Sequence, residues 1–330
     1  MKKFLSKIGR ISRVIFKAII SSVIVIFVLL FFAELFLRII GHSYQKKIMS
    51  SYKDFDPKNI NVLCLGESTT AGLWVDPEDS YPLQLEKKLR NFYNNHWIKI
   101  IVPPHIGQNT SQISNRVGRY IDNYNPRLII LMAGINNEWS LGESSIYKFL
   151  GLNSKEKRKV KLLIFMNDLR VFKALRYLFI KFKLKFPKKF DHTYFNPDTV
   201  LGQSDYWRYP PEDWIYKFAI SNKDAFVKGW KHDIKNIIKL AKRKNVNVLL
   251  MTYHSRIPFL PENTIESFAK EQNVYLVRND LSFDALNEKE ILSHYILEKD
   301  NWHPNKLGYE IIAENAFQQI KNHGLLGIIK

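Results

Sequence analysis

With a single cysteine, Cys64, the 330-residue chain can form no disulfide within itself. Cys64 sits in the apolar run Val62-Leu63-Cys64-Leu65, where a small buried hydrophobe is its ordinary role. No spacing of residues fits a zinc site, a P-loop or a dinucleotide fingerprint, so no cofactor and no metal is expected. Acids are also scarce, with 31 Asp/Glu against 50 Lys/Arg and a net charge of +19. That excess is local. Residues 1–53 hold ten Lys/Arg and one Glu, residues 154–190 hold thirteen Lys/Arg and two acids, and the remainder is close to neutral. A nucleic-acid partner would call for basic residues spread over a folded face. Two discrete blocks, one of them flanking an apolar stretch, suit contact with a membrane instead.

That apolar stretch is the first positive feature. Lys2, Lys3, Lys7, Arg10, Arg13 and Lys17 precede Ala18–Ala33, which carries no charge and is mostly Ile, Val, Leu and Phe. With its apolar flanks the segment 14–40 is long enough to cross about 30 Å of hydrocarbon. Glu34 can pair with Arg38 one helical turn on, and Lys17 and Arg38 can snorkel. No small-residue A-x-A site follows, so an uncleaved signal anchor is expected rather than a signal peptide. The basic tail, residues 1–13, should remain cytoplasmic. Residues 41–58 read as a linker, and residues 59–330 are then expected outside the cytoplasm, at a bacterial inner or cytoplasmic membrane.

Beyond the linker, apolar runs alternate with helical spacing. Strands are expected at 61–65, 97–102, 127–132, 246–251 and 274–277, and helices at 82–93, 111–123, 223–243, 264–271 and 305–321. The continuous run at 127–132 suits a sheet buried on both faces. Alternation of this kind predicts an α/β fold, a three-layer α/β/α domain around a mostly parallel five-stranded sheet.

The chemistry-bearing residues fall where such a sheet would present them, since ligands collect at the carboxyl ends of parallel strands. Gly66-Glu67-Ser68-Thr69-Thr70 follows the first strand, Gly107 the second, and Gly134-Ile135-Asn136-Asn137 the third. Asp300-Asn301-Trp302-His303 stands near the C-terminus, where one helical turn can bring an orienting carboxylate beneath an imidazole. A hydroxyl nucleophile needs a base, the base an orienter, and the developing oxyanion needs donors. The G-x-S-x-G elbow of α/β-hydrolases is excluded, because Thr70 stands where its second glycine would be.

These blocks resemble those of the SGNH/GDSL serine hydrolases, from about Asn59 to the C-terminus with one large insertion. The resemblance implies a flavodoxin-like fold. It makes Ser68 the nucleophile, Asp300 and His303 its partners, and Ser68, Gly107 and Asn136 the oxyanion-hole donors. Ser80-Tyr81-Pro82 and His303-Pro304-Asn305 echo the same family. Glu67 takes the place of the aspartate that braces the family's nucleophile turn, one methylene longer, and Asn137 replaces an aspartate after the oxyanion asparagine. His105 and His254 near strand ends read as structural.

The insertion, residues 141–214, carries apolar residues at helical spacing over 160–180, interleaved with Arg170, Lys173 and Arg176. Three readings stay open: a helical cap with a solvated basic face, a basic amphipathic element on the bilayer, and a docking surface for a membrane-embedded partner. Trp207, Tyr209 and Trp214 at its end suit either sugar stacking or a core. The expected activity is that of a membrane-anchored esterase removing O-acetyl groups from cell-envelope or exported polysaccharide. The alternatives are an O-acyltransferase that delivers the acyl group to a glycan hydroxyl, and a non-catalytic glycan-binding or scaffolding module.

Overall fold

A computed structural model describes residues 2–48, 56, 58–103, 106–137, 140–183, 218, 221–255, 260–286, 294–297 and 302–328. Asp300, His105, Trp207, Tyr209 and Trp214 lie outside these described residues.

Five apolar runs form one sheet in the order β2-β1-β3-β4-β5, every neighbour parallel. They are β1 (Ile60–Gly66), β2 (Ile98–Ile101), β3 (Leu128–Met132), β4 (Asn247–Met251) and β5 (Tyr275–Val277). β3 is buried along its whole length, as its unbroken Leu-Ile-Ile-Leu-Met run requires of a central strand covered on both faces. Its register with β1 is fixed by Val62 opposite Leu128 and Gly66 opposite Met132, so the two strands end level.

Before the sheet, α1 (Lys2–Ile48) is one long helix, apolar over Ile15–Ser43 with its side chains standing exposed. It runs past the end of the expected span into the segment read as linker. Ser68–Ala71 is a single-turn helix, α2, directly after β1. α3 (Tyr81–Tyr93) covers one face of the sheet. α4 (Thr110–Tyr124) covers the other, buried through Ile113, Val117 and Ile121 at helical spacing. The insertion supplies α5 (Ser154–Asp168) and α6 (Arg170–Lys183). α7 (Lys223–Arg243) packs on α4 and buries Trp230, Ile234, Ile237 and Ile238. α8 (Glu262–Gln272) follows β4, α9 (Asn279–Asp284) follows β5, and α10 (Lys306–Asn322) closes the fold against α3. The result is the expected three-layer α/β/α arrangement, with the sheet entirely rather than mostly parallel.

Two local features differ from the sequence reading. The apolar spacing across 160–180 suggests one helix, but Leu169 is extended (φ −76°, ψ 125°) and divides it into α5 and α6. The second helix starts afresh because a distant carboxylate caps it: Glu34 Oε2 of α1 accepts from the Val171 N–H at 2.8 Å. The free edge of β2 is also dressed by side chains. Glu86 Oε2 accepts from Ile100 N–H at 2.6 Å, and Arg90 Nε donates to Ile98 O at 2.7 Å.

Candidate active site

Ser68 opens α2, so its N–H belongs to the first helical turn and has no acceptor within the helix. The turn that presents it depends on Gly66. A Cβ there would stand 2.0 Å from Thr70 Oγ1 and 2.5 Å from Met132 O, so no larger residue fits. Gly72, in a left-handed conformation (φ 68°), then ends α2.

His303 arrives from the other end of the sequence. Its Nε2 lies 2.8 Å from Ser68 Oγ. The loop that carries it is clamped on both sides. An antiparallel bridge joins Ile296 to Pro304, Leu297 N–H donates to His303 O at 2.9 Å, and Asn305 N–H donates to Tyr295 O at 2.9 Å. Asn305 also caps α10, its Oδ1 accepting from Leu307 and Gly308 N–H. His254 Nε2–H donates to Trp302 O at 2.7 Å, one residue before His303.

Gly107 and Asn136 sit past the ends of β2 and β3, the two strands that flank β1. Parallel pairing therefore puts the loops of Gly107, Ser68 and Asn136 side by side at one edge of the sheet. Gly107 is left-handed (φ 73°), and a Cβ built there would meet nothing within 4 Å; glycine is required by the backbone rather than by crowding. Asn136 is 5 % exposed in the turn after β3.

The bracing of this edge comes mostly from residues that have neighbours in space but not in sequence. Glu67, 1 % exposed, accepts from the Gly134 N–H at 2.8 Å and from the Tyr253 hydroxyl, so one carboxylate ties the loops after β1, β3 and β4. The longer side chain thus supplies the brace in full. Asn137 is equally engaged. Its Oδ1 accepts from Thr110 N–H and its Nδ2 donates to Thr110 Oγ1, both at 2.9 Å. Asn109 forms a capping box with Gln112 at the start of α4 and donates from Nδ2 to Ser140 O and Gly142 O. Beneath them, Asp233 of α7 accepts from Thr110 Oγ1 at 2.8 Å, Ser111 Oγ at 2.7 Å and Ser145 Oγ at 3.2 Å. Burial lifts the Asp233 carboxyl above the usual carboxylate range, and the hydroxyl donors from Ser111, Thr110 and Ser145 offset only part of that.

Tyr253, His254, Asn109 and Asp233 were not among the site candidates read from sequence. Tyr253-His254 did carry one signal, standing just past β4 as Ser68 stands past β1, and N-x-x-Q at 109–112 was legible as a capping box. Asp233 gave none, being a lone acid on a helix. Among the described residues no group of three or more His, Cys, Asp or Glu is placed to hold a metal ion.

No family model and no curated protein sequence matches the chain. Solved structures similar to it include a psychrotrophic esterase from Pseudoalteromonas sp., at 14% identity and TM-score 0.44, covering 80% of this chain and 98% of that one. A G-D-S-L family lipolytic protein from Desulfitobacterium hafniense matches at 14% and 0.42, over 79% and 99%. A family 3 carbohydrate esterase from Clostridium thermocellum matches at 13% and 0.43, over 81% and 97%.

Proposed function

We propose that the chain is a membrane-anchored serine esterase that removes O-acetyl groups from cell-envelope or exported polysaccharide. The observation that carries this reading is the 2.8 Å approach of His303 Nε2 to Ser68 Oγ at the carboxyl edge of a parallel sheet. A base within hydrogen-bond reach of a hydroxyl, with donors gathered on the flanking loops, is the arrangement that acyl transfer needs.

In this mechanism Ser68 Oγ attacks the ester carbonyl while its proton passes to His303 Nε2. Asp300 holds the imidazole with its proton on Nδ1 and stabilises the imidazolium. The oxyanion is held by the Ser68 and Gly107 N–H groups and the Asn136 amide. One such donor lowers the barrier by about 3–4 kcal/mol. His303 returns its proton to the leaving sugar hydroxyl as the C–O bond breaks, leaving acetyl-Ser68. A water, deprotonated by His303, then attacks, and acetate departs as Ser68 regains its proton. Glu67, Tyr253 and His254 act by holding the loops and touch no reacting atom.

The apolar length and basic N-terminal flank of α1 support a single span with the catalytic domain outside the cytoplasm. The test is hydrolysis of a chromogenic acetyl ester by the full-length protein, followed by acetate release from acetylated envelope glycan. Ser68→Ala is expected to lose about 10⁴-fold or more in kcat/KM. Equal rates in the two proteins would favour a binding module. Transfer of acetyl to an added sugar in preference to water would favour the transferase.

A further inference from the structure

We propose that α6, with the basic helix α5 beside it, lies on the anionic surface of the same bilayer that α1 crosses, and that Glu34 fixes it there. This rests on the reading of α1 as a span. Glu34 stands seventeen residues beyond Lys17, about 26 Å along a helix that rises 1.5 Å per residue. With Lys17 at one face of a hydrocarbon layer about 30 Å thick, Glu34 is at the opposite margin. A carboxylate at that depth needs partners, and it has them. Oε1 accepts from Arg38 Nε at 2.6 Å, Oε2 accepts from the Val171 N–H at the start of α6, and Arg38 Nη2 donates to Asp168 O at 3.4 Å. The guanidinium of Arg170 lies close against Gly41 of α1, 3.2 Å from where a Cβ would be. α6 therefore begins at the level where hydrocarbon gives way to headgroups.

The described side chains of the hairpin suit that level. α6 exposes Leu175, Leu178 and Phe179, three and four residues apart on one stripe, and α5 exposes Leu162 and Phe165. Around them α5 presents Lys155, Arg158, Lys159 and Lys161 to solvent against a single acid in its first turn, Glu156. An apolar stripe flanked by lysine and arginine, continuous with a membrane-crossing helix, is the composition of an interfacial helix on anionic lipid.

The experiment uses the full-length protein in phosphatidylcholine vesicles with and without phosphatidylglycerol, labelled at single introduced cysteines with an environment-sensitive dye. Native Cys64 is fully buried, and burial pushes its thiol pKa far up, so it stays silent. Leu178→Cys reports on α6, Val25→Cys on the span, and Asp122→Cys on the aqueous end of α4. A blue-shifted Leu178 label, quenched by lipids spin-labelled near the headgroup and more strongly with phosphatidylglycerol present, is the expected result. Val25 is then quenched by lipids labelled deep in the chain, and Asp122 by neither. Glu34→Ala is expected to lose quenching at Leu178 and keep it at Val25. A water-exposed Leu178 label beside a quenched Val25 overturns the interfacial placement and leaves the span intact. A blue-shifted but unquenched Leu178 overturns it in favour of protein coverage. An unquenched Val25 removes the span, and the inference falls with it.

Discussion

Replacing Glu67 by alanine isolates the bracing of the nucleophile from the chemistry itself. The side chain is buried and accepts from the Gly134 N–H and the Tyr253 hydroxyl. Truncation strands the buried Gly134 N–H and leaves the Tyr253 hydroxyl only its longer bond to Met132 O, 3.4 Å, each change costing about 1–3 kcal/mol, so the fold should lose about 2–6 kcal/mol. Activity should fall further than stability alone explains. The loops after β1, β3 and β4 lose their common tie, and a misplacement of about 1 Å at a reacting group can cost about 10²-fold in rate. Glu67→Gln retains one carbonyl oxygen for Gly134 N–H, and the Tyr253 hydroxyl can rotate to accept from the new amide, so it should fall between wild type and Glu67→Ala. Tyr253→Phe removes one of the two donors. In the double variant the losses should be less than additive, because both side chains act through one contact. The assay is thermal unfolding in parallel with kcat and KM on an acetyl ester. The expected signature is a lower kcat with KM little changed. Wild-type kcat and wild-type melting in Glu67→Ala, or full additivity with Tyr253→Phe, would refute the reasoning.

Asn136→Ala should lower kcat about 10²–10³-fold with little change in KM, read on the same ester, since an oxyanion donor acts in the transition state. His254→Phe keeps the ring packing against Phe283 and Trp302 but removes the N–H that holds Trp302 O, so kcat should fall by loosening of the His303 loop. His254→Gln, which keeps an N–H donor, should restore part of it. Asp233 carries a folded-state pKa above its unfolded one, so the folded protein binds its proton more tightly. Its contribution to stability is therefore greatest below the ordinary carboxylate value of about 3.9 and declines as pH rises through the elevated one. The stability difference between wild type and Asp233→Asn should shift with that sign in melting curves across this window, and a flat difference would contradict it.

Much of the sheet was legible because its signals are local. Leu128–Met132 is apolar without interruption and is wholly buried, and the helical spacing of Phe226, Trp230, Ile234 and Ile238 marks the body of α7. Ser68 and His303 were legible as short blocks, and their meeting needed only the strand ends to converge. What escaped depends on partners far along the chain. The break at Leu169 follows from a carboxylate on α1, and the roles of Tyr253, His254 and Asp233 lie in hydrogen bonds to residues dozens of positions away. α9 was missed because six residues, Asn279–Asp284, are too short for a periodicity to register.

The hydrogen bonds from Glu86 and Arg90 to the outer rim of β2 bear on how the protein behaves in a crowd. An unpaired strand margin is a template on which a second chain can add by β-augmentation, the first step toward aggregates. Here Ile100 N–H and Ile98 O are already engaged by two side chains of the chain's own α3. These are themselves joined, Arg90 Nη2 to Glu86 Oε1 at 3.1 Å. A foreign strand must displace an ion pair before it gains its first rung, so this margin of the sheet is guarded against other copies.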